Sequence, residues 1–361
     1  MDNSYLFYTC VLLAATILAF ISQFFIDRNK ILSQVFFVLS FIILWYVSAN
    51  RYGIGTDYKL YENMYYEITS ISTIKEGLHI FSYVEPGWVL FNYIVKYAFN
   101  NVQYIFTISS LFTIGLSYLF IFKNRKNINI GITVFIFICL FYNQSFNVVR
   151  QSLAMSISIF SYIYMKERKC FKFFLTVGIA FCFHYSAILL LLIYPIFRSI
   201  ETLPKIKKYI YITIVVCLFS YNSILNLVIK ITGLTKYSIY YTDGIKISFH
   251  DILFKALIVI FIIINLNRLK KQNNYIYKLS NVYFIGVLLS LTSFFAPYIG
   301  RISYYFDMTL LLIIPNIIKT YSQKNGVIVY YLSLIFFYGY YFYYFLYLNY
   351  GETNLYIKLL A

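Results

Sequence analysis

Long apolar runs, each bounded by a short polar knot, recur along the whole chain. Most approach the roughly 20 residues that a helix needs to cross a hydrocarbon core. They are too continuous for the alternation of a membrane strand, and a helix satisfies its own backbone hydrogen bonds inside lipid. The pattern predicts an all-α, polytopic integral membrane protein with about twelve spans. These lie near 5–26, 31–50, 102–122, 128–145, 147–165, 171–184, 185–198, 209–229, 251–269, 279–298, 301–319 and 327–349. The runs 171–184 and 185–198 are short for a full crossing, which calls for a tilted or broken helix.

Charge orients this pattern. The knots at 27–30, 123–126, 166–172, 198–208, 268–278 and 319–324 hold 19 of the 30 Lys and Arg, and of the 13 acids only Asp27, Glu167 and Glu201. Such knots belong in the cytoplasm, and two passes between successive knots place both termini outside. Segment 87–100 would invert the next basic loop if it crossed, and it carries Lys96. It therefore reads as a short helix lying in the outer leaflet or re-entering from outside. The chain, 1–361, reads as one membrane domain with two outer loops, 51–86 and 230–250.

Composition narrows the class further. A chain 61% hydrophobic and 12% charged, with mean hydropathy +0.72, is not a soluble domain. The net charge of +17 is divided among short loops, which excludes a nucleic-acid-binding face. Cys10, Cys139, Cys170, Cys182 and Cys217 show no CxxC spacing and read as filler. The first run has no basic residue before it and no small-residue cleavage site after it, so it reads as a retained span.

Three arginines break the charge rule. Arg51, Arg150 and Arg301 fall at span mouths on the outer face, with His184 at the same level. Burying an arginine there costs a few kcal/mol, and a phosphate-bearing ligand is the leading reason to do so. Around Arg51, Gly53 and Gly55 permit a tight turn, and Thr56 or Asp57 can cap a following helix. That helix carries Tyr58, Tyr61 and Tyr65 on one face, as an interfacial tyrosine belt or a surface for sugar rings. Glu85-Pro86-Gly87-Trp88 is a sound helix start, with Glu85 either a cap or a functional carboxylate. Arg150 and Gln151 follow the amides Asn143, Gln144 and Asn147 and precede Ser152, Ser156 and Ser158, a polar flank fit to line a cavity. His184 is either a bonded core residue or a neutral base. After Pro297 and Gly300, Arg301 is followed by Tyr304, Tyr305 and Asp307, and Asp307 could simply pair with Arg301. No metal-binding motif is present, and spacing gives no support to a metal site built from Asp57, Glu85, His184 and Asp307.

These pieces resemble the EpsG-type branch of the Wzy-like bacterial polysaccharide polymerases. The matching residues are Arg51 with Gly55-Thr56-Asp57-Tyr58 and Tyr61, then Glu85-Pro86-Gly87 with Leu90 and Asn92. They continue with Arg150-Gln151-Ser152-Leu153-Ala154, His184-Tyr185-Ser186-Ala187, and Arg301 with Tyr304 and Tyr305. Over 209–270 only the hydropathy agrees. The resemblance implies a glycosyltransferase of the bacterial cytoplasmic membrane, acting on its outer face on undecaprenyl-pyrophosphate-linked oligosaccharide units. It implies no cofactor and no metal, and a chain-length regulator is a further candidate partner. Within that chemistry, Arg150 and Arg301, then Arg51, suit the pyrophosphate. His184 first and Asp57 second suit the base, and Glu85 would orient the acceptor or pair with an arginine. Tyr58, Tyr61, Trp88, Gln151, Tyr304 and Tyr305 are the candidate glycan contacts. A flippase or exporter of lipid-linked glycans and a membrane acyltransferase are the rival readings.

Overall fold

A computed structural model describes residues 3–202, 249–294 and 299–353, with isolated positions between 208 and 230. Most of the expected span 209–229 and nearly all of the loop 230–250 lie outside the described residues, as do Pro297 and Tyr298. What is described is helical, with no strand among the described residues.

The first half comprises α1 (Asn3–Phe25), α2 (Lys30–Ala49), α3 (Tyr58–Ser70), α4 (Ile74–Ile80), α5 (Pro86–Phe99) and α6 (Gln103–Asn124). It continues through α7 (Ile130–Phe137), α8 (Gln144–Asn147), α9 (Val149–Ser158), α10 (Phe160–Lys166), α11 (Cys170–Phe183) and α12 (Ile193–Thr202). A π turn, Ile138–Tyr142, extends α7, and a 3₁₀ stretch, Tyr185–Leu192, joins α11 to α12. The second half holds α13 (Phe249–Gln272), α14 (Asn274–Ser290), α15 (Ser303–Asp307), α16 (Leu310–Lys319) and α17 (Gln323–Tyr341).

Among the described residues, five helices are long and apolar enough to cross a membrane, and six if the pair Gly300–Asp307 and Leu310–Lys319, bent by 46°, is one span. The expected run 147–165 is divided at Ile159 into α9 and α10. Segment 87–100 is a helix, α5, with Pro86 in its first turn and Asn100 ending it in the left-handed region. Apolar residues cover both sides of the long helices. On α1, Leu12, Ala15 and Ala19 are buried while Leu13 and Ile17 are exposed. On α13, Phe254, Ile258 and Ile262 are buried while Ile260, Ile263 and Ile264 are exposed. A helix apolar all round needs protein on one side and hydrocarbon on the other.

Five of the basic knots, all but 198–208, fall at the turns between helices, and Asn29, Asn129 and Asn273 each cap the helix that follows such a turn. Contacts tie these turns together at one end of the molecule. Ile130 N donates to Gln23 Oε1 at 2.8 Å, joining the turn after α1 to the turn before α7. Lys123 lies over the Phe160 ring, Lys166 over Tyr275 and Arg268 over Tyr321. Asn273 Nδ2 reaches Asn316 Oδ1 at 3.4 Å. The opposite end is where α2 finishes, α3 to α5 fold over, and α13 and α15 meet.

Candidate functional site

At that opposite end the chain first makes a tight turn. Gly55 has φ +100°, and a Cβ there would stand 2.9 Å from the Phe146 carbonyl oxygen. Only glycine accepts both constraints. The turn is anchored from two directions. Gly55 N and Thr56 N donate to the carbonyls of Glu352 and Gly351 at 3.1 and 3.0 Å. Asn147 Oδ1 accepts from Thr56 Oγ1 at 2.8 Å and from Asp57 N at 2.9 Å. One amide thus fixes Asp57 beside the start of α9, where Arg150 emerges.

Arg150 is held by Glu85. Its Nη1 pairs with Glu85 Oε2, while Tyr185 N donates to Glu85 Oε1 at 3.3 Å. Glu85 reaches this position because α5 packs tightly on the end of α11: a Cβ on Gly87 would meet the Cys182 carbonyl oxygen at 2.6 Å. With both oxygens engaged, Glu85 orients the arginine, the second of the two roles open to it in the sequence. The guanidinium also faces the Tyr61 ring at 5.9 Å, and its side chain keeps 21% exposure.

Arg301 joins the same group. Gln151 Nε2, one residue past Arg150, donates to the Arg301 carbonyl at 2.8 Å. Arg301 lines a small cavity with Gln144, Asn147, Tyr304 and Tyr350. Both arginines lie within electrostatic range of Asp57 and of His184. Burial raises the Asp57 carboxyl above the ordinary carboxylate range, and the positive charges of Arg301 and Arg150 oppose that rise. At the corner between α11 and the 3₁₀ stretch, His184 Nδ1 meets Ser186 Oγ at 2.7 Å, and Ser186 Oγ reaches Tyr305 OH at 3.2 Å. Tyr305 is itself buried.

Other candidate residues stand elsewhere. Arg51 is 1% exposed, with Nη1 donating to Ser48 O and Ser48 Oγ at 2.9 Å each and its guanidinium 5.0 Å from both the Phe106 and Phe146 rings. Burial pulls it down to about 10, so it remains cationic at neutral pH. The Tyr58, Tyr61 and Tyr65 face of α3 is not an interfacial belt: all three are buried inward. Tyr58 stacks on Phe106 at 4.2 Å, and fully buried Trp88 packs edge-on to Tyr61 at 5.5 Å. Burial of that face against α5 and α6 turns Tyr58 and Trp88 from glycan contacts into the bed beneath the site. Asp307 does not simply pair with Arg301, because it meets the buried Lys255 at 3.0 Å. Lys255 and Asp251, four residues apart on α13, were missed as site residues, although acid-before-base spacing at the start of a span was the available signal. Among the described residues, no three of His, Cys, Asp and Glu gather as a metal site would require.

Taken together, these features define a helical membrane protein with a partly buried cluster of arginines at the end opposite its basic turns. A family model described as the EpsG family matches residues 34–358, and the chain belongs to that family. Membership points to a polysaccharide polymerase, hence an enzyme. No curated protein and no solved structure matches the chain.

Proposed function

We propose that this protein is a glycosyltransferase that polymerises undecaprenyl-pyrophosphate-linked oligosaccharide repeat units on the outer face of the bacterial cytoplasmic membrane. About twelve spans put the basic turns in the cytoplasm and both termini outside. The single observation that carries the reading is that Arg150 and Arg301 both lie within electrostatic range of Asp57 and of His184.

The reaction breaks the bond between an anomeric carbon and a pyrophosphate oxygen. An acceptor hydroxyl oxygen bonds to that carbon from the opposite side, which inverts the centre, through an oxocarbenium-like transition state. Negative charge grows on the departing pyrophosphate, where Arg150 and Arg301 act in a water-poor cleft. Glu85 fixes the direction of Arg150 and leaves its other donors for the ligand. The hydroxyl proton passes to His184, or second to Asp57. The guanidinium groups supply the positive charge, so the scheme is metal-independent, and lipid tails enter from the bilayer between helices.

Purified protein incubated with the lipid-linked repeat unit should yield a ladder of longer lipid-linked chains and free undecaprenyl pyrophosphate. A protein that carries the unit across vesicle membranes without lengthening it would overturn the reading in favour of an exporter. Transfer of an acyl group to the glycan would overturn it in favour of an acyltransferase.

A further inference from the structure

A second polar chamber lies beside the arginine site, built from residues that the scheme above leaves unused. On α13, Lys255 is 4% exposed, and three oxygens surround its ammonium: Ser303 Oγ at 2.7 Å, Asp307 Oδ2 at 3.0 Å and Asp251 Oδ2 at 3.6 Å. Tyr340 OH donates to Asp251 Oδ1 at 3.2 Å. The ammonium is therefore committed to oxygens of the protein, two at hydrogen-bond distance and the third as an ion pair.

Two atoms do remain. Asp307, 7% exposed, has Oδ1 buried with no hydrogen-bond partner, and the hydroxyl of fully buried Tyr283 is in the same condition. Both residues line one cavity of about 30 Å³, walled further by Tyr304, Tyr340 and Tyr344. A buried carboxylate oxygen and a buried phenol each cost free energy when left unsatisfied, so native structures rarely leave them so. The cavity shares Gln144, Tyr304, Phe345 and Tyr350 with the one that Arg301 lines, so the two are neighbours across a tyrosine neck.

The charge decides what this chamber takes. Two carboxylates against one lysine leave it net negative, which repels phosphate, and its free oxygen accepts hydrogen bonds. Tyrosine walls suit the C–H faces of a sugar, and the volume suits one hydroxyl or hydroxymethyl arm rather than a ring. We propose that this chamber is a carbohydrate subsite in which Asp307 Oδ1 and Tyr283 OH hold a hydroxyl arm of the repeat unit whose pyrophosphate lies at the arginines. Lys255 is the positioning residue that aims the Asp307 carboxylate. The proposal rests on the polymerase reading for the identity of its ligand and deepens it.

The test measures binding and turnover separately, with the lipid-linked repeat unit as probe and folded protein in detergent. Asp307→Asn keeps the shape and removes the charge. It should raise Kd and KM for the unit about tenfold, a loss of ~1.4 kcal/mol, while kcat stays within about threefold. Tyr283→Phe leaves the ion pair intact and should weaken binding about three- to tenfold. Because Asp307→Asn disturbs a buried pair and can fail to fold, Tyr283→Phe carries the test alone in that event. A purely structural role would instead lower the denaturation midpoint and kcat, and Tyr283→Phe would bind as wild type. Wild-type ladders with unchanged binding in the folded variants would end this proposal and leave the polymerase standing. Weakened binding in the variants, with no ladder even from wild type, would end the polymerase reading and keep the subsite.

Discussion

Arg51 and Arg150 occupy equivalent places in the sequence pattern, each expected at the mouth of an apolar run on the same side, yet the fold surrounds them differently. Arg51, just past the end of α2, lies between two phenylalanine rings and bonds back to Ser48 in the last turn of that helix, with no carboxylate partner among the described residues. Arg150 is aimed by the carboxylate of Glu85 at the start of α5, keeps part of its surface open, and lies with Arg301 within electrostatic range of Asp57 and His184. A cation sealed by aromatic faces and carbonyls has its donors turned inward, and contributes to packing. A cation held from one side by a carboxylate has directed donors left over, which an arriving anion needs. The comparison separates an arginine sealed into the packing from one that, on the proposed function, works in the site.

The largest effect expected is at the working pair. Arg150→Ala and Arg301→Ala should each cut polymer formation by about 100-fold or more, the scale seen when a donor to developing negative charge is removed. Single lipid-linked units should accumulate, and the variants should elute from gel filtration as wild type does. Lysine at either position restores charge without the fork, so partial recovery is expected. Normal ladders from both alanine variants would erase the distinction from Arg51.

Arg51 should behave in the opposite way. Arg51→Met removes two hydrogen bonds and two ring contacts, a loss of ~1–3 kcal/mol of stability. Its denaturation midpoint in detergent should fall, while turnover per folded molecule stays within about threefold of wild type. Lost turnover at an unchanged midpoint would move Arg51 into the working group.

What the sequence made legible, and what it hid, follows from the range of each signal. The basic turns were readable because their cues are local: a charge cluster, and an asparagine that caps the next helix at Asn29, Asn129 and Asn273. The electrostatic proximity of Arg150, Arg301, Asp57 and His184 agrees with a charge pattern from which all four were expected at one level. The direction of the tyrosine face on α3 was not readable. Spacing of i, i+3, i+7 identifies a face but not its neighbour, and α5 and α6 cover it. The pairing of Asp307 was hidden for the same reason, since Lys255 is 52 residues away and only the packing of α13 against α15 joins them. The division of 147–165 at Ile159 carries no proline or glycine to announce it.

Asp57 gives the smallest effect and the finest test, because it asks whether the cleft holds a charge at the expense of stability. Burial raises its folded-state value above the ordinary carboxylate range, and the arginines reduce that rise without cancelling it. Over the window between the unfolded value, about 4, and the raised folded value, the folded protein binds more protons than the unfolded one. Its contribution is therefore fully present below the unfolded value and is lost as pH rises through the folded one, leaving the charged form the less stable at neutral pH. Asp57→Asn should remove that step, so its midpoint should exceed wild type at neutral pH and converge with it in acid, as measured by detergent-phase thermal unfolding across pH. The same variant should lose polymer formation if Asp57 shares the proton with His184, which would make it a residue kept for chemistry and against stability. A variant that is no more stable than wild type at neutral pH would mean that Arg150 and Arg301 already offset the burial of Asp57, and would place its carboxylate among the supports of the arginine pair.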